Sequence, residues 1–285
     1  MMHAWLIYDR EGAERNRDYI EYHHEVGARY GVDFRLVYAE DAPGMIEAGL
    51  HGGRPDFAIV RTIEPAINAA LEAEGIRTYN NSKVSRITNH KFRCIEYIAQ
   101  NTSVPTIPTT LLTPCPADTS SPGGAPDLGS IRPGDVIKPV SGHGGAGVMR
   151  VPEGGLSEAD RQTYLSSGEY ICQPFIEGPG EDVRVYVIGD RIIAAVRRRA
   201  KAGEFRANAS LGGDISRYTL NEKETDCVNQ IIRCFDFGMV GIDFIIDNHN
   251  AFIFNEIEDV VGARMLYKTY PEIDILDEYL RFILC

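Results

Sequence analysis

The clearest alternation of apolar and polar positions runs from Glu181 to Ile188, stops at Gly189-Asp190, and gives way to an apolar run that ends in Arg197-Arg198-Arg199. This pattern predicts two antiparallel strands joined by a tight turn. Successive side chains of a strand point to opposite faces, so Arg197 and Arg199 belong to one face and Arg198 to the other. Further strand-like runs follow at Gly241-Ile242-Asp243-Phe244-Ile245-Ile246 and at Phe252-Ile253-Phe254-Asn255-Glu256-Ile257-Glu258.

Earlier in the chain the pattern switches between the two periods. Ala4 to Tyr8 reads as a buried strand, Arg17 to Tyr30 as a helix ending near Gly31, and Phe34 to Tyr38 as a second strand. Phe57 to Val60, a helix over Glu64 to Glu74, and Ile76 to Tyr79 complete a strand–helix alternation. Such alternation implies a parallel sheet with helices on its faces. A small α/β domain is therefore expected over residues 1–80. Its Trp5 is expected in the core, and His23-His24 on a solvated helix face. Lys83 to Gln100 reads as one helix, and the proline-rich segment Thr113 to Pro133 as a surface loop.

The chain has 285 residues, 44% of them hydrophobic and 25% charged, as in ordinary soluble globular proteins. Its formal net charge of −12 disfavours nucleic-acid backbones and a basic membrane-binding face. No run is long and apolar enough to span a bilayer, and the start at Met1 to Asp9 does not read as a signal peptide. The six cysteines are scattered, without a C-x-x-C pair or a Cys/His cluster of ligand spacing. They are expected as reduced thiols in a cytoplasm, with no zinc site.

Ile137-Lys138-Pro139-Val140-Ser141-Gly142-His143-Gly144-Gly145-Ala146-Gly147-Val148 is a strand, a glycine-rich loop and a second strand. Glycines let a backbone approach a phosphate closely, and a preceding lysine can reach the same group. A plain flexible hairpin fits the loop equally well. Glu256 and Glu258, two apart on a strand, share a face, and Asp243 can meet them from the neighbouring strand. Carboxylates inside apolar strands are costly unless paired or metal-bound. The alternative is the solvated face of an edge hairpin.

The order of these elements resembles the ATP-grasp superfamily, and within it the RimK-like ligases that modify ribosomal protein S6. The resemblance is closest at Asp182-Val183-Arg184, Arg198-Arg199-Ala200-Lys201, Phe205-Arg206-Ala207-Asn208 and Gly212-Gly213, and covers roughly residues 80–265. It implies an α/β ATP-grasp fold behind an N-terminal Rossmann-like domain. The implied units are residues 1–80, a central lobe at 81–170 with the flap, and a C-terminal lobe at 171–285. It further implies that ATP is held by Lys91, Lys138, the flap residues Ser141, Gly142, Gly144 and Gly145, and the hinge Gln173, Pro174, Phe175 and Ile176. Asp182 and Arg184 would lie under the nucleotide. Asp243, Glu256 and Glu258 would hold Mg2+ or Mn2+. Arg199 and Asn208 would stand near the reacting phosphate and acceptor. Relatives usually carry Glu-x-Asn where this chain has Glu256-x-Glu258, and the following loop, Asp259 to Arg264, also departs from them.

The implied activity is ATP-dependent ligation of a carboxylate to an amine, with small-molecule or peptide substrates. A kinase on the same fold and a catalytically silent nucleotide-binding regulator are the rivals. Arg199, Arg206 and Arg264 are the candidates for holding a substrate carboxylate. A homo-oligomer is left open.

Overall fold

The computed structural model describes residues 1–50, 53–112, 131–142, 146–166, 170–200 and 213–285. The first unit contains β1 (Met2–Tyr8), α1 (Arg10–Arg15), α2 (Arg17–Arg29), β2 (Val32–Tyr38), α3 (Ala42–Glu47), β3 (Phe57–Val60), α4 (Pro65–Ala73) and β4 (Arg77–Tyr79). Its strands form one sheet in the order β2-β1-β3-β4, with every pair parallel. Apolar runs such as Phe57–Val60 suit this sheet because both of its faces are covered. Trp5, Ile7, Ala58 and Val60 pack into one core with Ile67 and Leu71 of α4. Leu6, Tyr8, Phe34 and Ile59 pack into another core with Ile20 and Val26 of α2.

The burial of α2 on two sides corrects one expectation. His23 is fully buried, with its Nδ1 2.6 Å from the Tyr19 carbonyl oxygen and its ring edge-on to Phe34. Only His24 remains on the outer side of the helix. The single helix expected over Lys83 to Gln100 is two, α5 (Ser82–Thr88) and α6 (Lys91–Asn101). Between them His90 turns extended, and its ring accepts from the Arg93 amide at 3.4 Å as the cap of α6. The break places Lys91 at the first turn of α6, where its amide donates to the Val140 carbonyl at 2.8 Å.

A second sheet contains β5 (Thr110–Leu112), β6 (Val136–Pro139), β7 (Met149–Arg150) and β8 (Tyr170–Gln173), in the order β5-β8-β6-β7 and all antiparallel, with α7 (Glu158–Ser166) leading into β8. The proline-rich segment expected as a loop lies largely outside the described residues. The third sheet contains β9 (Glu181–Ile188), β10 (Arg191–Arg199), β11 (Asp214–Tyr218), β12 (Met239–Ile246) and β13 (Phe252–Glu258), in the antiparallel order β11-β10-β9-β12-β13. Val183, Val185, Val187, Ile242 and Phe244 bury one face of it against α6 and α8 (Glu222–Ile232). The chain closes with α9 (Arg264–Thr269) and α10 (Ile275–Leu284). The end of the chain docks back on the first unit, where Tyr22 donates to Asp274 at 2.5 Å and Tyr30 to Asp277 at 2.7 Å. Among the described residues no helix is long and apolar enough to cross a membrane.

Candidate active site

The site lies on the face of the third sheet opposite its apolar core, and two β-bulges decide which side chains reach it. Counted back from the turn at Gly189-Asp190, an unbroken hairpin would set Asp182 opposite Arg197. Instead the pairing shifts at Ile193, so that Tyr186 opposes Ala194 and Asp182 opposes Arg198. The second bulge lies at Asn255: Phe244 opposes Phe254 while Asp243 opposes Glu256. Without the extra residue Glu256 and Glu258 would face the core. With it Ile257 takes the core position, and both glutamates join Asp243 on the site face.

Carboxylate oxygens of Asp243, Glu256 and Glu258 lie within 4.8 Å of one another. Arg184 donates from Nε and Nη2 to the two oxygens of Asp243, each at 2.7 Å, and its Nη2 lies 2.6 Å from Glu258. Arg198 donates to Asp182 at 2.5 and 2.9 Å and to Asp243 at 2.7 Å. Lys91 Nζ donates to the Gly142 carbonyl at 2.6 Å and sits 3.4 Å from Glu256. Lys138 Nζ donates to Asn255 Oδ1 at 3.0 Å.

Burial and charge act against each other here. Burial raises the carboxyl of Asp243, but Arg184 and Arg198 outweigh it and hold the group below the usual range. At Glu258 burial prevails over Arg184 and the carboxyl is raised. Burial pushes the Lys138 ammonium down to about 8 despite the pull of Glu256. Asp259 is pushed up to about 6 by burial, although Asn89, which donates to it at 3.0 Å, and Arg61 oppose the shift.

These groups open onto a cavity of about 620 Å³ between the third sheet and the first unit. Lys91, Gly142, Arg184, Arg198, Glu256 and Glu258 line it on one side, and Tyr8, Tyr19, Arg61 and Arg264 on the other. Arg264 Nη2 donates to the Arg15 carbonyl at 3.1 Å and to Asn16 Oδ1 at 3.3 Å, bridging to the first unit.

The other expected residues stand elsewhere. Arg199 points away from the cluster: its Nε donates to Glu181 at 2.8 Å, and its side chain is largely exposed. Through the bulge at Ile193 the arginine that joins the carboxylate cluster is Arg198, not the expected Arg199. Gln173 is buried and donates to Thr109 Oγ1 at 2.8 Å, with its own Oε1 unpartnered. Pro174, Phe175 and Ile176 follow β8, and the Arg150 guanidinium sits 4.0 Å from the Phe175 ring centroid. None of these hinge residues lines the cavity. Ser141 is exposed, and Gly142 has φ of +105°, a backbone state that suits glycine. Gly144, Gly145, Arg206 and Asn208 lie outside the described residues. Arg61 and Asn255 were not singled out in the sequence. Asn255 had a visible signal, a polar residue out of phase within Phe252 to Ile257.

Residues 88–283 match the RimK-like ATP-grasp domain. The chain is 30% identical over 209 residues to a probable alpha-L-glutamate ligase of Legionella pneumophila (strain Corby), covering 71% of this chain and 66% of that protein. It is 29% identical over 187 residues to the tetrahydromethanopterin:alpha-L-glutamate ligase of Methanosarcina acetivorans, covering 61% and 55%. It thus spans about half to two thirds of the length of the curated relatives it matches. The crystal structure of a RimK domain ATP-grasp protein from Sphaerobacter thermophilus superposes with a TM-score of 0.69 at 16% identity, over 99% of this chain and 100% of that one. The architecture is that of the ATP-grasp ligases.

Proposed function

The chain belongs to the RimK-like ATP-grasp family, and from that premise we propose that it is an ATP-dependent ligase joining a carboxylate to an amine. A carboxylate oxygen attacks the γ-phosphorus of ATP and the bond to ADP breaks. The amine nitrogen then attacks the carbonyl carbon of the acylphosphate. The carbon–oxygen bond to phosphate breaks, and the nitrogen loses a proton. The products are the amide, ADP and phosphate.

The observation that carries this reading is the clustering of Asp243, Glu256 and Glu258 beside Arg184, Arg198, Lys91 and Lys138. Phosphoryl transfer is mostly positioning and charge neutralisation. Lys91, Lys138 and Arg198 are the cations assigned to the phosphates, with Arg198 taking the part first given to Arg199. The three carboxylates are hard oxygen donors close enough together for one ion, which fits Mg2+ or Mn2+. Such an ion supplies charge neutralisation between phosphate oxygens. Asp243 now gives its oxygens to arginines, so the carboxylates also keep Arg184 and Arg198 placed before nucleotide arrives. Gln173 to Ile176 remain the proposed adenine hinge, and Arg264 the proposed contact to a substrate carboxylate.

In this reading residues 1–80, 81–170 and 171–285 are the Rossmann-like first domain and the two ATP-grasp lobes. The substrates are small acids or peptides and amines, as the names of the glutamate-ligase relatives suggest. The compartment is the cytoplasm, in keeping with the free described cysteines Cys94, Cys172, Cys227, Cys234 and Cys285.

The test is phosphate release with pooled amino acids and short peptides, with mass spectrometry of the products. Glu256→Gln should abolish turnover while leaving the fold intact. A wild-type rate in that variant across magnesium concentrations would overturn the metal assignment. A phosphorylated acceptor without free phosphate would make the protein a kinase.

A further inference from the structure

Among the described residues the cations of the carboxylate cluster all have a polar partner at short range: Arg184 and Arg198 have carboxylates, Lys91 has Glu256, and Lys138 has Asn255. The opposite wall differs. Arg61, carried just beyond β3 of the first unit, lines the cavity and is 9% exposed. Among the described residues it has no carboxylate within ion-pair distance. One of its nitrogens donates to the Val261 carbonyl at 2.9 Å, while its Nε has no hydrogen-bond partner. Beside it Tyr8 and Tyr19 also line the cavity; Tyr8 interacts with the Arg61 guanidinium, and neither hydroxyl has a hydrogen bond of ordinary geometry. The guanidinium carbon lies 5.6 Å from the Tyr19 ring centroid. Asp9 accepts from the Gly12 amide at 2.7 Å; Asp259, which accepts from Asn89, feels the charge of Arg61 without forming an ion pair with it.

A buried guanidinium without a carboxylate in ion-pair contact is costly, and so are buried hydroxyls without well-formed hydrogen bonds. Three such groups at one spot of a cavity wall are explained if a ligand supplies the missing acceptor. An arginine fork and two phenol O–H donors make a recognition set for an oxyanion. Burial, only partly countered by Arg61, holds the Tyr19 phenol well above its ordinary value, so it remains a donor at neutral pH. The whole chain carries −12, whereas Arg15, Arg61, Arg264 and Lys268 gather on this side of the cavity. The first unit also precedes the family match, which begins at residue 88. Its contribution to the cavity can therefore vary apart from the phosphoryl-transfer machinery.

We propose that Arg61, with Tyr8 and Tyr19, forms a subsite for a second anionic group of the acid substrate, a carboxylate remote from the one that reacts. The proposal rests on the ligase reading for what happens at the reacting end. Val261, to which Arg61 is tied, lies three residues beyond Glu258, a chain reach of no more than about 11 Å. A short dicarboxylic acid, rather than a monoacid, is the class of molecule that joins the two ends.

The experiment is titration of the full chain with malonate, succinate, glutarate and adipate, with butyrate as monoacid control and inorganic phosphate as a further arm. Magnesium and a non-hydrolysable ATP analogue are present, and binding of the analogue is measured separately. At least one diacid should bind tenfold or more tighter than butyrate. Arg61→Gln should erase that advantage without changing affinity for the analogue, and Arg61→Lys should restore part of it. Tyr8→Phe, which keeps the ring and removes the donor, should weaken the diacid several-fold and serves as the second variant if Arg61→Gln does not fold. No preference for any diacid over butyrate, or equal diacid binding by Arg61→Gln, would overturn the subsite. Tighter binding of phosphate than of every diacid would overturn the carboxylate assignment. Failure of the wild type to bind the analogue would instead count against the ligase reading, while the diacid comparison still judges the subsite.

Discussion

Replacing Asp243 by alanine should destabilise the protein even without nucleotide or metal, because this carboxylate is the shared counter-ion of two buried arginines. Asp243 is 1% exposed and accepts three charge-assisted hydrogen bonds of 2.7 Å, two from Arg184 and one from Arg198. Removing one partner of a buried ion pair costs about 3–5 kcal/mol, since the other charge is left uncompensated. Here both arginines keep a second carboxylate, Glu258 for Arg184 and Asp182 for Arg198, so the lower end, about 3 kcal/mol, is expected. For a protein of roughly this size that corresponds to a fall in Tm of about 6–12 °C.

The assay is thermal and urea unfolding in EDTA, where neither metal nor ATP contributes. Arg198→Met should be costly by itself, because it leaves Asp182 without its arginine. The double variant Asp243→Ala/Arg198→Met should cost about 1–3 kcal/mol less than the sum of the two, because opposite charges that interact are removed together. Additive effects, or a loss below about 1 kcal/mol in Asp243→Ala, would refute the argument that this cluster is held by mutual compensation.

His23 supplies a pH dependence. Its burial drives the imidazole down to about 3, from an unfolded value near 6.5, so the unfolded state takes up the proton first. Stability should fall as pH drops below 6.5, by up to about 1.4 kcal/mol per pH unit, and His23→Phe should flatten that slope in unfolding curves between pH 7 and 4.5. An unchanged slope would mean that other groups set the acid limit. Arg264→Ala should raise the KM for the acid substrate while leaving ATP affinity nearly unchanged. A matching loss in ATP affinity, or no change in either, would remove Arg264 from the substrate site.

The elements were legible because they rest on local periodicity. The alternation of Glu181 to Arg199 specified the hairpin, and the apolar runs of the first unit specified a parallel sheet. What periodicity could not give was phase. A bulge adds one residue to one strand, and every side chain beyond it changes face. Ile193 does this in β10 and brings Arg198, not Arg199, over Asp182 and Asp243. Asn255 does it in β13, and there the expected pairing of Glu256 with Glu258 on one face was right while the reason they reach the site was not visible. The burial of His23 was missed for a related cause. A helix packed on a sheet and also by a helix some 250 residues later has no solvated face where the two contacts meet.

Arg61 was hidden for another reason. Nothing in Val60-Arg61-Thr62 differs from an ordinary strand end, and its meaning comes from Val261, 200 residues away, and from the lack, among the described residues, of a carboxylate in ion-pair contact with it. In the proposed ligase the residues of phosphoryl transfer lie within the family match, since they would meet the same ATP in every member. Selectivity for the acid has no such common ligand to preserve a motif. It is therefore expected where this chain has, among the described residues, a buried cation without an ion-pair partner outside the matched region, on the wall that the first unit turns toward Glu256 and Glu258.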